Sequence, residues 1–171
     1  AKQNGIEILR LWTASSDFTD DLRISEEIIK GTQDSYRRLR NTLRYLLGAL
    51  GGYADSETVD PAEMPGLERW VLHRMVEVDE TVRAAYHVYD FKKIIAAVMN
   101  FCGVELSAVY FDIRKDSLYC DAPSDPRRKA TRTVMNLLLE RLLAWLAPIM
   151  PFTTEEAFQL SHLSETAKSV H

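Results

Sequence analysis

Glycine and proline are scarce, seven and six in 171 residues, and they come in clusters. Gly51, Gly52, Pro61, Pro65 and Gly66 share one stretch, Pro123 and Pro126 a second, Pro148 and Pro151 a third. The tracts between them lack both breakers, which favours long helices. No stretch alternates apolar and polar residues over a useful length, so strands are not expected, and no internal repeat is present. Cysteine is limited to Cys102 and Cys120, far apart and in no CxxC pair. That pattern fits buried thiols in a reducing compartment, and nothing in it supports a bridge between the two. No apolar run approaches the length of a membrane span. Residues 1–5 (AKQNG) have no signal-peptide layout, so the expected location is the cytoplasm.

Catalytic signatures are missing too. There is no GxGxxG, P-loop, HExxH or nucleophile elbow. His73, His87, His162 and His171 have no metal-ligand spacing with the cysteines. The paired acids Glu26-Glu27 and Glu155-Glu156 fall in predicted first turns, where the helix dipole accounts for them. No residue is therefore assigned a catalytic or metal-binding role.

What is present is an ordinary globular composition, 46% hydrophobic and 27% charged, in a length that suits one domain. The net charge of −4 weighs against a general nucleic-acid binder. Local clusters outweigh the sum, because salt screens charges beyond roughly 8–10 Å.

Apolar periodicity predicts an all-α fold, an antiparallel bundle of four to five long helices. Residues 6–14 read as a short helix. Ser25 is a good N-cap for a helix that runs to about Leu50, with Tyr36, Leu39, Leu43, Leu46, Leu47 and Leu50 as its apolar stripe. A second long helix starts near Leu67 and places Leu67, Val71, Met75, Val78 and Val82 on one face. The pattern continues through Phe91, Ile94, Ile95, Val98 and Phe101, and a break is expected near Gly103, before a helix over residues 107–119. Asp125-Pro126 opens the next helix as N-cap and first helical residue. Val134, Leu137, Leu138, Arg141, Leu142 and Trp145 give it one mostly apolar face. Thr153 and Glu156 read as a capping box. Trp70, Trp145 and Phe152 are expected in or near the core.

Positive charge is concentrated. Arg37, Arg38, Arg40 and Arg44 occur within eight positions without an acid among them. At ~100° per residue, Arg37, Arg40 and Arg44 share a face, Asn41 lies near Arg37, and Arg38 points away. Such a row of guanidiniums suits phosphate, which each grips through forked, charge-assisted bonds. The same arginines are equally suited to pairing with acids of neighbouring helices, such as Glu77, Asp79 or Asp90. A second cluster, Arg127, Arg128, Lys129 and Arg132, opens the last long helix. Cations are unfavourable in a first turn, so an anionic ligand or acids such as Asp121 and Asp125 must compensate.

Several segments, in order, resemble the part of isoleucyl-tRNA synthetase, a class I aminoacyl-tRNA synthetase, that follows its catalytic domain. Residues 5–14 (GIEILRLWTA) are similar to the family's GAD-x-LR-x-W segment, with Ile6-Glu7 where Ala-Asp is usual. Residues 20–25 (DDLRIS) resemble the opening of the first bundle helix. Residues 36–47 (YRRLRNTLRYLL) look like the isoleucyl signature, and the Asn-Lys-Leu-Trp-Asn string of valyl relatives is absent. Residues 100–110 (NFCGVELSAVY), 112–120 (DIRKDSLYC) and the strings RRKATRTV and LAPIMPFTTEEAF follow the same pattern, with Phe158 where the family usually has Trp.

The resemblance implies a linker over residues 1–24 and a helical anticodon-binding domain over residues 25–171, truncated at its C-terminal end. It implies an anticodon stem-loop of isoleucine tRNA as partner, contacted by Arg37, Arg40, Asn41 and Arg44, with Arg127 and Arg128 as a second contact. It further implies a catalytic domain in the same chain, a monomer, and no membrane. The family uses ATP with Mg, and zinc in a C-terminal region. Its HIGH and KMSKS strings do not occur here, and none of those sites maps onto these residues, so no cofactor is expected in this stretch. Two other classes compete: a free-standing helical interaction protein, marked by a large exposed apolar stripe, and a small independent enzyme, for which no residues are found.

Overall fold

The computed structural model describes residues 5–17, 19, 21, 22 and 24–171. The motif at residues 20–25 therefore lies partly outside the described residues. The regular elements among the described residues are all helical, with no strand. Helix α1 spans Ile6–Ser15, α2 Glu26–Ala49, α3 Gly66–His87, α4 Phe91–Asn100, α5 Phe111–Cys120, α6 Pro126–Leu146 and α7 Pro151–Gln159.

Helix α2 starts where its sequence says it should. The Ser25 hydroxyl accepts the Ile28 N–H at 3.2 Å, and Glu26 and Glu27 sit in the first turn. Leu39, Leu43 and Leu46 go fully inward. The chain leaves the helix through Gly52 at φ 66°, a left-handed conformation that glycine adopts without steric cost. Helix α3 buries Val71, Met75, Val78, Val82 and Ala85. It ends at His87, Tyr89 just beyond it takes φ 58°, and Asp90 then caps α4 by accepting the Lys93 N–H at 3.0 Å.

The expected break at Gly103 does not occur. Helices α4 and α5 are joined by a π-helical segment, Phe101–Tyr110, into one unbroken helix, Phe91–Cys120. Glycine costs only about 1 kcal/mol in a helix interior, less than the burial of Phe101, Cys102, Leu106 and Tyr110 supplies. The wider π turns keep those four residues pointing into the core. This helix is also long and apolar enough to cross a membrane by length and composition, contrary to the expectation from the sequence. Its packing against α3, α1 and α6 accounts for its apolar character as that of a core helix.

Helix α6 is the central strut. Asp125 accepts the Arg127 and Arg128 N–H groups and Pro126 is the first helical residue, as the sequence predicts. Its burial is wider than one face: residues 130–135 are buried in succession, followed by Leu138, Leu139, Leu142, Leu143, Trp145 and Leu146. Trp145 is 4% exposed, its indole N–H donating to Asp79 at 2.8 Å, whereas Trp70 is 38% and Phe152 65% exposed. Those two expectations were wrong because residues just inside a helix start need not face the bundle.

Helix α7 begins three residues earlier than the Thr153 capping box implies. Its N-terminus is capped from α1: the buried Glu7 carboxylate accepts the Phe152 N–H at 3.1 Å and the Thr153 N–H at 3.3 Å. Arg10, one turn along α1, donates to the carbonyls of Ile149 and Pro148, both at 2.9 Å. Cys102 is buried and Cys120 exposed, both free, so only one thiol follows the expectation of burial. Burial pushes the Cys102 thiol up to about 12.

Candidate nucleic-acid interface

The inward stripe of α2 fixes what its other faces can do. With Leu39, Leu43 and Leu46 buried, Arg37, Asn41 and Arg44 are turned to solvent. Arg37 pairs with Asp34 one turn back, at 3.2 Å, on an exposed surface where such a pair is worth little. No hydrogen bond or ion pair joins the side chains of Asn41 or Arg44 to any described residue, so their donors are free for a ligand.

Arg40 behaves differently. It lies on the α7 side of the helix and donates to the Tyr36 hydroxyl at 3.1 Å and to Glu156 at 3.0 Å. The Tyr36 hydroxyl in turn meets Thr153 Oγ1 at 3.0 Å. The hydrogen bond to Tyr36, helped by Glu156, raises the Arg40 pKa above the ordinary arginine value. Arg40 thus pins α2 to α7, and with Arg44 it borders a small cavity of about 210 Å³.

The acids expected to pair with the stripe do not. Glu77 binds Arg74, Asp79 binds Arg83 and Trp145, and Asp90 caps α4. All three are on or beside α3, whereas the arginines meet Asp34 and Glu156. The arginine row is therefore neither wholly free nor wholly consumed.

The second cluster divides in the same way. Arg132 is 5% exposed and belongs to the core: it forks onto Glu57 at 2.8 and 3.1 Å, donates to the Ala49 carbonyl at 2.9 Å, and sits over the Tyr53 ring. Arg128 Nε donates to the Leu118 carbonyl at 3.2 Å, near the end of α5. The Arg127 side chain is exposed and bonded to no described residue. Asp125 compensates the first turn as N-cap, while Asp121 accepts from Ser117 instead. An anion is not required to explain the cluster.

Three residues were not among the expected site residues, although Arg38 was read as part of the arginine cluster. Arg38, Tyr45 and Phe111 line a cavity of about 580 Å³ between α2 and the π-helical segment, together with Asn41. Arg38 does point away from its neighbours, and the cavity is what it points towards. The only sequence signal was the i, i+3, i+7 spacing of Arg38, Asn41 and Tyr45, which becomes meaningful once a second helix lies alongside.

The family described as the anticodon-binding domain of tRNA ligase matches residues 68–171, and this chain belongs to that family. An isoleucine–tRNA ligase from Ruegeria pomeroyi is 56% identical over 171 residues, covering 99% of this chain and 17% of that relative. The proteins of the same name from Bradyrhizobium diazoefficiens and Mesorhizobium japonicum are 52% and 50% identical, over 93% and 99% of this chain. The chain spans 16–17% of the length of these relatives.

Proposed function

We propose that this chain is the anticodon-binding module of an isoleucine–tRNA ligase. It holds the anticodon stem-loop of isoleucine tRNA, while a catalytic domain in the same protein, using ATP and Mg, joins isoleucine to the distant acceptor end. The module contributes by orientation: binding energy gained far from the reacting atoms places the acceptor end in the active site. The protein acts as a cytoplasmic monomer, and this module performs no chemistry alone. The observation that carries this reading is the exposed row of Arg37, Asn41 and Arg44, with the side chains of Asn41 and Arg44 bonded to no described residue, in a chain so similar to proteins of that name.

These residues contact phosphate, with Arg40 at the edge of the row and Arg127 and Arg128 as the second contact. Phosphate contacts set position and salt dependence, not sequence preference. Hydrogen bonds to charged groups are worth roughly 1.5–3 kcal/mol each. An Arg37→Ala/Arg44→Ala double variant is expected to bind isoleucine tRNA at least ~10-fold more weakly, with a shallower salt slope and unchanged helicity. In the whole enzyme, the same change lowers aminoacylation and spares isoleucyl-adenylate formation. Unchanged affinity with a lowered melting temperature would assign the row to stability and end the claim.

A further inference from the structure

Helix α1 is held to the bundle by very little. Of its ten residues only Glu7 and Leu11 are buried. A helix that short is marginal by itself, so its placement rests on the few contacts it makes. Two of them are polar, opposite in sign, and directed at one corner of the fold, the connection between α6 and α7. The Glu7 carboxylate takes the orphan N–H groups of Phe152 and Thr153 at the start of α7. Arg10, three residues on and therefore on the same face of α1, takes the carbonyls of Pro148 and Ile149 just before it. The corner thus presents both its donors and its acceptors to a single helix. A contact of one kind would leave α1 free to turn about its axis, whereas the pair admits one rotation and one register. Burying a carboxylate is a costly way to hold a short helix, since an apolar residue would need no desolvation of charge. The chain also enters α1 through Gly5 at φ 78° and ψ 152°, a region of backbone space essentially confined to glycine.

We propose that Glu7 and Arg10 are positioning residues for aminoacylation: together they fix the angle at which the catalytic domain carries this module. The inference rests on the function proposed above, with residues 1–24 as the link between the two parts, and deepens it. Helix α1 then acts as a lever whose setting on the bundle is decided by the two-point clamp. The stem-loop is held near one end of the tRNA and the reaction takes place at the other. A small rotation of the module about α1 therefore moves the acceptor end much further than the stem-loop. Misplacing reacting groups by about 1 Å can cost on the order of 100-fold in rate. The loss falls on transfer to tRNA and not on the grip, because the clamp residues bond only to the α6–α7 corner and not to the arginine row. Formation of the adenylate, which precedes the meeting with the acceptor end, is untouched.

Arg10→Ala is the leading variant, because Arg10 is exposed and water can replace it at both carbonyls without unfolding the corner. The setting of α1 is read in this chain from two spin labels, one on the exposed thiol of Cys120 and one introduced through Thr13→Cys on the exposed side of α1, while Cys102 stays buried and unlabelled. The distance distribution should be narrow in the parent and broadened or shifted by Arg10→Ala. In the whole ligase, Arg10→Ala should lower kcat for aminoacylation at least about tenfold, with KM for isoleucine tRNA and isoleucine-dependent pyrophosphate exchange retained. Arg10→Lys, which still donates to one carbonyl, should recover part of the loss, and Glu7→Gln should behave as a mild form of Arg10→Ala. Ser25→Ala is the control for stability: it removes the cap of α2, lowers the melting temperature, and should leave kcat as it was. A kcat lowered no more by Arg10→Ala than by Ser25→Ala makes the clamp a structural contact and overturns the proposal. So does a rise in KM alone, or an equal loss of pyrophosphate exchange. If the parent chain fails to bind the anticodon stem-loop, the tRNA-binding reading falls and the positioning role with it. If the parent binds the stem-loop and Arg10→Ala leaves kcat unchanged, only the positioning role falls.

Discussion

Trp145 concentrates three kinds of interaction at one position. Its ring is buried against Phe101, its indole N–H reaches Asp79 at 2.8 Å, and its carbonyl accepts the Tyr86 hydroxyl at 2.6 Å. Truncation removes packing and leaves Asp79 short of a donor. Trp145→Ala should therefore cost roughly 3–5 kcal/mol, read from urea unfolding. Trp70→Ala and Phe152→Ala, at exposed positions, should cost far less, and equal losses at all three would mean that α6 is docked differently. Asp79 adds a pH signature. Burial alone would raise its pKa, but the hydrogen bonds from Trp145 and Arg83 outweigh that and bring it below the ordinary carboxylate value. A depressed folded-state pKa means that the stabilisation is complete above the unfolded value and is lost as pH falls through the folded one. The parent should lose stability through the acidic carboxylate range more steeply than Asp79→Asn, and parallel pH profiles would remove Asp79 from the account.

At the scale of elements, what could be read from the sequence was what is encoded locally. Ser25 and Asp125-Pro126 announce α2 and α6 because a cap acts within three residues of itself. Helices α2, α3 and α6 follow from apolar periodicity, and the exposure of Arg37 and Arg44 follows from the stripe opposite them. The unreadable features depend on partners distant in sequence. Gly103 looks like a break until the surrounding core is known to hold Phe101, Leu106 and Tyr110 in place. The cavity needs Tyr45 and Phe111 to meet, and Arg40 needs Glu156. The start of α7 is the plainest case, since Thr153 has the right identity for an N-cap, yet Glu7 performs that role from α1. A carboxylate at a helix N-terminus both accepts orphan N–H groups and complements the dipole. Glu7→Ala should destabilise the chain by about 0.5–2 kcal/mol, and Glu7→Gln, which keeps an acceptor, by less. Equal stability of Glu7→Ala and the parent in thermal unfolding would show that α1 does not cap α7.

At the scale of the molecule, a buried ionic cluster ties three helices together. Glu68 of α3 is 0% exposed, and Arg114 of α5 donates to its two oxygens at 2.6 and 2.8 Å. The Thr131 hydroxyl of α6 donates to Glu68 at 3.2 Å, and the Tyr110 hydroxyl approaches at 3.4 Å. Burial, followed by the Glu68 charge, pushes the Tyr110 phenol well above its ordinary value, so it remains a neutral donor at physiological pH. The cluster fixes the α5 end of the long helix against α3 and α6, and α5 carries Phe111 to the wall of the cavity beside α2. A buried pair of this kind is asymmetric in its energetics: removing one partner strands a charge, typically at 3–5 kcal/mol, while replacing both can be close to neutral. Arg114→Met should therefore lower stability by about that amount. Glu68→Gln added to Arg114→Met should restore much of it, because glutamine is uncharged yet still accepts from Thr131 and Tyr110. The coupling in this double-mutant cycle is the measurement that matters, and additive losses would show that the two side chains do not share an energetic unit. Below the melting temperature of Arg114→Met, affinity for the anticodon stem-loop should match the parent if the cluster only holds α5 in place.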